Sequence, residues 1–157
     1  MALYKGGEIV KKVFMSLAII GVMLLTLTGC TKSKSYTFTV ETGDKIKIQL
    51  NTTDGYDLSS DLPFKISKDG NTLSQGTFIT IDGYNQYIEA VNNDSNAKIL
   101  ESKTKDGISY TFYSYNDSEF NYVIKINDSN TGILLGNQNS QEEAEKCFEL
   151  LTFTLEK

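Results

Sequence analysis

Apolar side chains recur at every second residue through most of the chain after Tyr36, a spacing that puts them on one face of a strand and scatters them around a helix. Tyr36, Phe38 and Val40 alternate with threonines, and Ile46, Ile48 and Leu50 with lysine and glutamine; Thr42-Gly43-Asp44 between them completes a hairpin. Asn51 to Ser60 reads as a polar loop, followed by a strand from Phe64 to Ser67, a hairpin signal at Asp69-Gly70 and a β-branched run from Thr77 to Ile81. Three further alternating runs, 97–103, 108–115 and 120–126, are separated by Asp106-Gly107 and Asn116-Asp117-Ser118. Ile108, Tyr110 and Phe112 face one way, and Ser109, Thr111, Tyr113 and Tyr115 the other. Thr131 to Leu135 adds a strand before Gly136.

The period changes twice. Tyr84, Tyr87, Ile88 and Val91 fall at i, i+3, i+4 and i+7, the buried stripe of an amphipathic helix with Asp82 as its cap, stopped by residues 92–96. Ser140 and Glu143 form an S-x-x-E capping box, and Ala144, Cys147, Phe148 and Leu151 repeat the helical spacing. Burying a large apolar side chain is worth about 1.5 to 3 kcal/mol, so such a stripe holds a helix on a sheet. Residues 152–156 return to alternation as a closing strand. The order predicts an α+β domain over residues 36–157, an antiparallel sheet packed with two helices.

Ahead of this domain, Lys11-Lys12 precede an apolar run from Val13 that ends in Leu27-Thr28-Gly29-Cys30. A basic end, an apolar stretch and small residues at the cut are what a secretory signal requires. This segment resembles a bacterial lipoprotein signal. The resemblance implies that Leu27, Thr28 and Gly29 are the processing site, that residues 1–29 are removed, and that the Cys30 sulfur carries a diacylglyceryl group. Residues 30–35 then read as a lipidated tether, with the domain on the extracytoplasmic face of the cell membrane. More than one acyl chain gives stable anchoring. The alternative is an uncleaved span, for which roughly 17 to 25 apolar residues are needed. Residues 1–9 contribute nothing to a signal; Lys5-Gly6-Gly7-Glu8 is what a ribosome-binding site encodes when read as protein, which predicts a start at Val10.

Removing Lys5, Lys11, Lys12 and Glu8 from 15 basic and 20 acidic residues leaves 12 against 19, a net charge of −7 for the mature chain. There is no arginine, so the basic, fork-shaped footprint that favours nucleic acid is missing and no nucleic-acid partner is expected. Anionic lipid repels such a domain, leaving the membrane contact to the acyl chains. The lysine- and asparagine-rich, arginine-free composition resembles the product of an AT-rich genome, as in Firmicutes. With Cys30 lipidated, Cys147 has no partner, and the fold must rest on its apolar core.

The tyrosine-bearing helix around Tyr84 to Ile88, the segment Asp106 to Tyr110, the strand Asn121 to Ile124 and the helix-to-strand ending from Glu142 to Phe153 together are similar to the PsbP-like fold, a group that includes bacterial DcrB-like lipoproteins. The resemblance implies an α-β-α sandwich over residues 36–157 serving as an accessory or binding module of a membrane system. It carries no catalytic residues with it.

Without histidine, Ser-His-Asp and Cys-His sites are excluded, and so is the commonest zinc ligand. Cys147 lies on an apolar stripe, the place of an inert core thiol. Three Asn-Asp-Ser segments, at 93, 116 and 127, offer oxygens that calcium could use but lack the D-x-[DN]-x-[DN]-G register; they read as Asx turns. No metal or cofactor is expected. Tyr113 and Tyr115 are candidate surface or ligand contacts, or a second layer of core if a helix covers that face. The expected function is a non-catalytic module binding another envelope protein; the alternatives are a small-ligand or peptide receptor and an enzyme that works without histidine. An exposed apolar patch favours the first, a pocket with convergent polar groups the second.

Overall fold

The computed structural model describes residues 32–157. The signal segment, the proposed start at Val10, the Leu27–Gly29 processing site and Cys30 lie outside the described residues. Among the described residues, no helix is long and apolar enough to cross a membrane.

The alternating segments form two antiparallel sheets. In the smaller, β1 (Ser33–Thr39) and β10 (Leu151–Glu156) flank β2 (Lys45–Asn51), with Ile48 opposite both Tyr36 and Phe153. The larger has seven strands in the order β3 (Tyr56–Leu58), β4 (Phe64–Lys68), β5 (Asn71–Thr80), β9 (Thr131–Asn137), β8 (Glu119–Ile126), β7 (Ile108–Tyr115) and β6 (Ala97–Lys105). Its tight hairpins turn on consecutive left-handed residues, Asp69-Gly70, Asp106-Gly107 and Asn116-Asp117, the conformation that suits the twist of paired strands.

Helix α1 (Ile81–Asn93) covers one face of the large sheet, burying Tyr87 and Val91 against Ile79, Tyr113, Val123 and Leu134. Gly132 permits this approach, since a Cβ there would stand 3.3 Å from the Tyr84 Cβ and 2.9 Å from the Ile124 carbonyl oxygen. The opposite face carries the small sheet and α2 (Gln141–Glu149), joined in one core that includes Phe38, Ile46, Ile48, Phe64, Phe78, Ile124, Ile133, Cys147 and Phe148. At Gly76 the Phe64 ring takes the place of a side chain: a Cβ would lie 2.0 Å from its Cζ. The turn between β1 and β2 is tied to the start of β9 by Asp44, whose Oδ2 accepts from the Thr131 hydroxyl at 2.7 Å and the Asn130 amide at 2.9 Å.

Among the described residues the α+β class with two helices stands as expected, with strands in two sheets rather than one. Several boundaries are corrected. Ser33 to Ser35, read as tether, are paired in β1 opposite Asn51 to Gln49, because backbone pairing along β2 outweighs their polar side chains. The loop after Asn51 contains a 3₁₀ turn and the short strand β3. Thr80, not Asp82, caps α1, its hydroxyl accepting from Gly83 N at 3.1 Å while its backbone is still extended from β5. Ser140 caps α2 by accepting from Glu143 N at 3.1 Å, but Leu151 leaves the helix to pair with Leu50 in β10.

Candidate functional site

The large sheet is wider than its cover, and beyond α2 and β10 its cleft-facing residues on β6, β7 and β8 form the floor of a cleft of about 590 Å³. A bulge decides what stands on the β6 part of that floor. Between Ile99, opposite Tyr113, and Glu101, opposite Phe112, the strand holds one extra residue, and side chains beyond it change face. Glu101, Lys103 and Lys105 thereby stand over Phe112, Tyr110 and Ile108.

Four rings make the deep part of the floor. Phe112 stacks on its cross-strand neighbour Tyr122 with centroids 4.2 Å apart, Tyr122 stacks on Phe148 of α2 at 4.0 Å, and Tyr110 meets the Phe148 ring edge-on at 4.7 Å. The far wall is α2 and β10, contributing Glu145, Glu149, Leu151 and Phe153. Glu145 and Glu149 are one helical turn apart and flank Phe148, so one face of α2 supplies both ring and carboxylates.

The polar groups converge. The Tyr110 hydroxyl donates to Glu101 Oε2 at 2.7 Å, and the Lys103 ammonium donates to the other carboxylate oxygen. The Lys103 hydrogen bond first, and that of Tyr110 second, hold the Glu101 carboxyl below its ordinary pKa. Burial, then Glu101, pushes Tyr110 up to about 12. Burial raises Tyr122 further, with the nearby Glu145, Glu101 and Glu149 carboxylates adding to it. Both phenols therefore remain neutral donors in a negative field. Four carboxylates and two lysines line the cleft, and the lysines are engaged, Lys103 by Glu101 and Lys105 by Asp106 at 3.8 Å. Among the described residues, neither Glu145 nor Glu149 has a lysine partner.

The residues singled out from the sequence lie elsewhere. Tyr113 is buried under α1 and Tyr115 packs partly buried beside it, so they form the second core and not an exposed platform; the helix crossing that face is the cause. Cys147 is fully buried, and desolvation raises its thiol pKa. The Asn-Asp-Ser segments are turns: Asp94 Oδ1 accepts from the Asn96 amide at 2.9 Å, Asn116 and Asp117 form a hairpin, and Ser129 donates to the Ile126 carbonyl at 2.8 Å. Of the cleft residues, Tyr110 and Phe148 read in the sequence only as core positions, and Glu101, Tyr122, Glu145 and Glu149, taken singly, carry no mark of a site. The i, i+3, i+4 set at 145, 148 and 149 was the available signal for the α2 wall; the bulge had none.

The chain matches no protein-family model, no curated protein and no solved structure. An aromatic floor under uncompensated carboxylates suits a ligand with a positive group beside flat or aliphatic surface, since the cation is drawn both to the carboxylates and to the ring quadrupoles.

Proposed function

We propose that this chain is an extracytoplasmic binding protein, anchored in the cell membrane by lipid on Cys30, whose cleft receives a cationic ligand. The observation that carries the reading is the convergence of Glu145 and Glu149, neither with a lysine partner among the described residues, over the Tyr110–Tyr122–Phe148 floor. A broad docking face has less support: Ile99, 45% exposed, is the one large apolar residue exposed among the described residues. The PsbP-like reading belongs to the same proposal. It is supported by α1 and α2 lying on opposite faces of one antiparallel sheet, although the small sheet shares the α2 face.

Calorimetric titration of the full chain in detergent with a panel of alkylammonium, guanidinium and quaternary ammonium compounds tests the cleft. Cations are expected to bind, and size-matched neutral and anionic analogues to bind at least tenfold more weakly; equal affinity across the panel would reject the reading. For the anchor, Cys30→Ser is expected to abolish incorporation of radiolabelled palmitate, and undiminished labelling would reject it.

A further inference from the structure

Among the described residues four strands form the edges of the two sheets, and three of them carry features that discourage further pairing. β3 is three residues long and has Asp57 at its centre. β6 has a bulge together with Lys98, Lys103 and Lys105. β1 carries Lys34, whose ammonium reaches Asp57 at 2.8 Å. β10 is the exception. Its first five residues, Leu-Thr-Phe-Thr-Leu from 151 to 155, contain no charge, proline or glycine and alternate β-branched with large apolar side chains. Among the described residues it pairs with β2 alone.

The phase of that pairing fixes which backbone groups are free. The Asn51 amide donates to the Leu150 carbonyl at 2.9 Å, and with Leu151 opposite Leu50 the main-chain groups of 152, 154 and 156 also point at β2. Those of Leu151, Phe153 and Leu155 point away from it. Leu151, Thr152 and Phe153 line the cleft, so the open edge is also the cleft's wall.

We infer that the cleft's ligand is an extended peptide segment bearing basic side chains, which adds to β10 as a fourth strand of the small sheet. This rests on the cleft reading above and names the ligand class. Main-chain bonds to Leu151, Phe153 and Leu155 supply affinity without regard to sequence. Alternate side chains of the added strand then project over the aromatic floor, where Glu145 and Glu149, the carboxylates with no lysine partner among the described residues, select lysine or arginine. A second copy of this chain is a poor occupant, because pairing two β10 edges brings two acidic clefts together.

The test uses the full chain, isotopically labelled and in detergent, with a blocked hexapeptide alternating valine and lysine as probe. Hydrogen exchange at the amides of Leu151, Phe153 and Leu155 is expected to slow at least tenfold on saturation. The effect should disappear with the glutamate counterpart and with a lysine peptide N-methylated at alternate residues, and Glu145→Gln/Glu149→Gln should weaken the lysine peptide about tenfold. If the lysine peptide perturbs Tyr110 and Tyr122 without protecting these amides, strand addition is wrong and the cleft reading survives. If small cations bind and the peptide does not, the inference again fails alone; if neither binds, both fail. Protection that appears without peptide and grows with protein concentration would mean self-pairing and overturn the inference.

Discussion

The Tyr110 hydroxyl donates to Glu101 Oε2 across 2.7 Å, joining adjacent strands at a place where an unbulged β6 would have turned the carboxylate to the other face of the sheet. One inserted residue thus brings into the aromatic cleft a glutamate that would otherwise stand on the α1 face, with the tyrosine fixing its orientation.

That pair makes acid stability depend on Glu101. Its folded pKa is depressed, by Lys103 first and Tyr110 second, so its contribution is complete above the unfolded value of about 4.3 and is lost as pH falls through the lower folded value. The stability difference between wild type and Glu101→Gln is therefore expected to shrink on going from neutral pH into the acid range, as read by thermal unfolding. The group is partly exposed, so the effect is modest. A difference independent of pH would show that the carboxylate's charge is not what Lys103 and Tyr110 stabilise.

The phenols set the alkaline limit. Burial raises Tyr110 and Tyr113 to about 12, and the sign is opposite to that of the glutamate. Their contribution is complete below the unfolded value of about 10 and is lost as pH rises through about 12. Phenolate absorbance is expected to show a fraction of the tyrosines ionising only as the fold is lost. Complete ionisation near pH 10 with the fold intact would contradict their burial.

Tyr87 holds a buried hydroxyl with no hydrogen-bond partner among the described residues, between α1 and the sheet. An unsatisfied buried polar group costs about 1 to 3 kcal/mol, and an apolar replacement of the same shape avoids that cost. Tyr87→Phe is expected to leave stability unchanged or raise it by up to about 1 kcal/mol in denaturant unfolding. A loss of more than that would mean the hydroxyl is satisfied.

Gly76 supports the Phe64 ring from below. Overpacking a filled core costs typically 1 to 3 kcal/mol, and Gly76→Ala is expected to fall in that range, since the ring has to leave its place among Phe38 and Phe78. The companion Gly76→Ala/Phe64→Leu should recover part of the loss; no recovery would place the strain elsewhere.

Local chemistry was legible in the sequence and long-range pairing was not. Ile108, Tyr110 and Phe112 share a face because alternation dictates it, and Ser140 caps α2 because a serine hydroxyl ahead of a helical stripe can reach a free amide. The pairing of Phe153 with Ile48 joins residues more than a hundred positions apart, with no local mark of which sheet β10 enters. β3 is too short to display a period. The cleft depends on both the β10 pairing and the β6 bulge, so alternation alone directed attention to Tyr113 and Tyr115, which α1 covers.

Fluorine NMR of the full chain carrying fluorotyrosine at its nine tyrosines, titrated with tetramethylammonium, tests the cleft most directly. Saturable shifts are expected, confined to the Tyr110 and Tyr122 resonances, assigned by single Tyr→Phe variants, and weaker in Glu145→Gln/Glu149→Gln. Unmoved resonances at both tyrosines, or shifts that survive removal of the two carboxylates undiminished, would contradict the cleft reading.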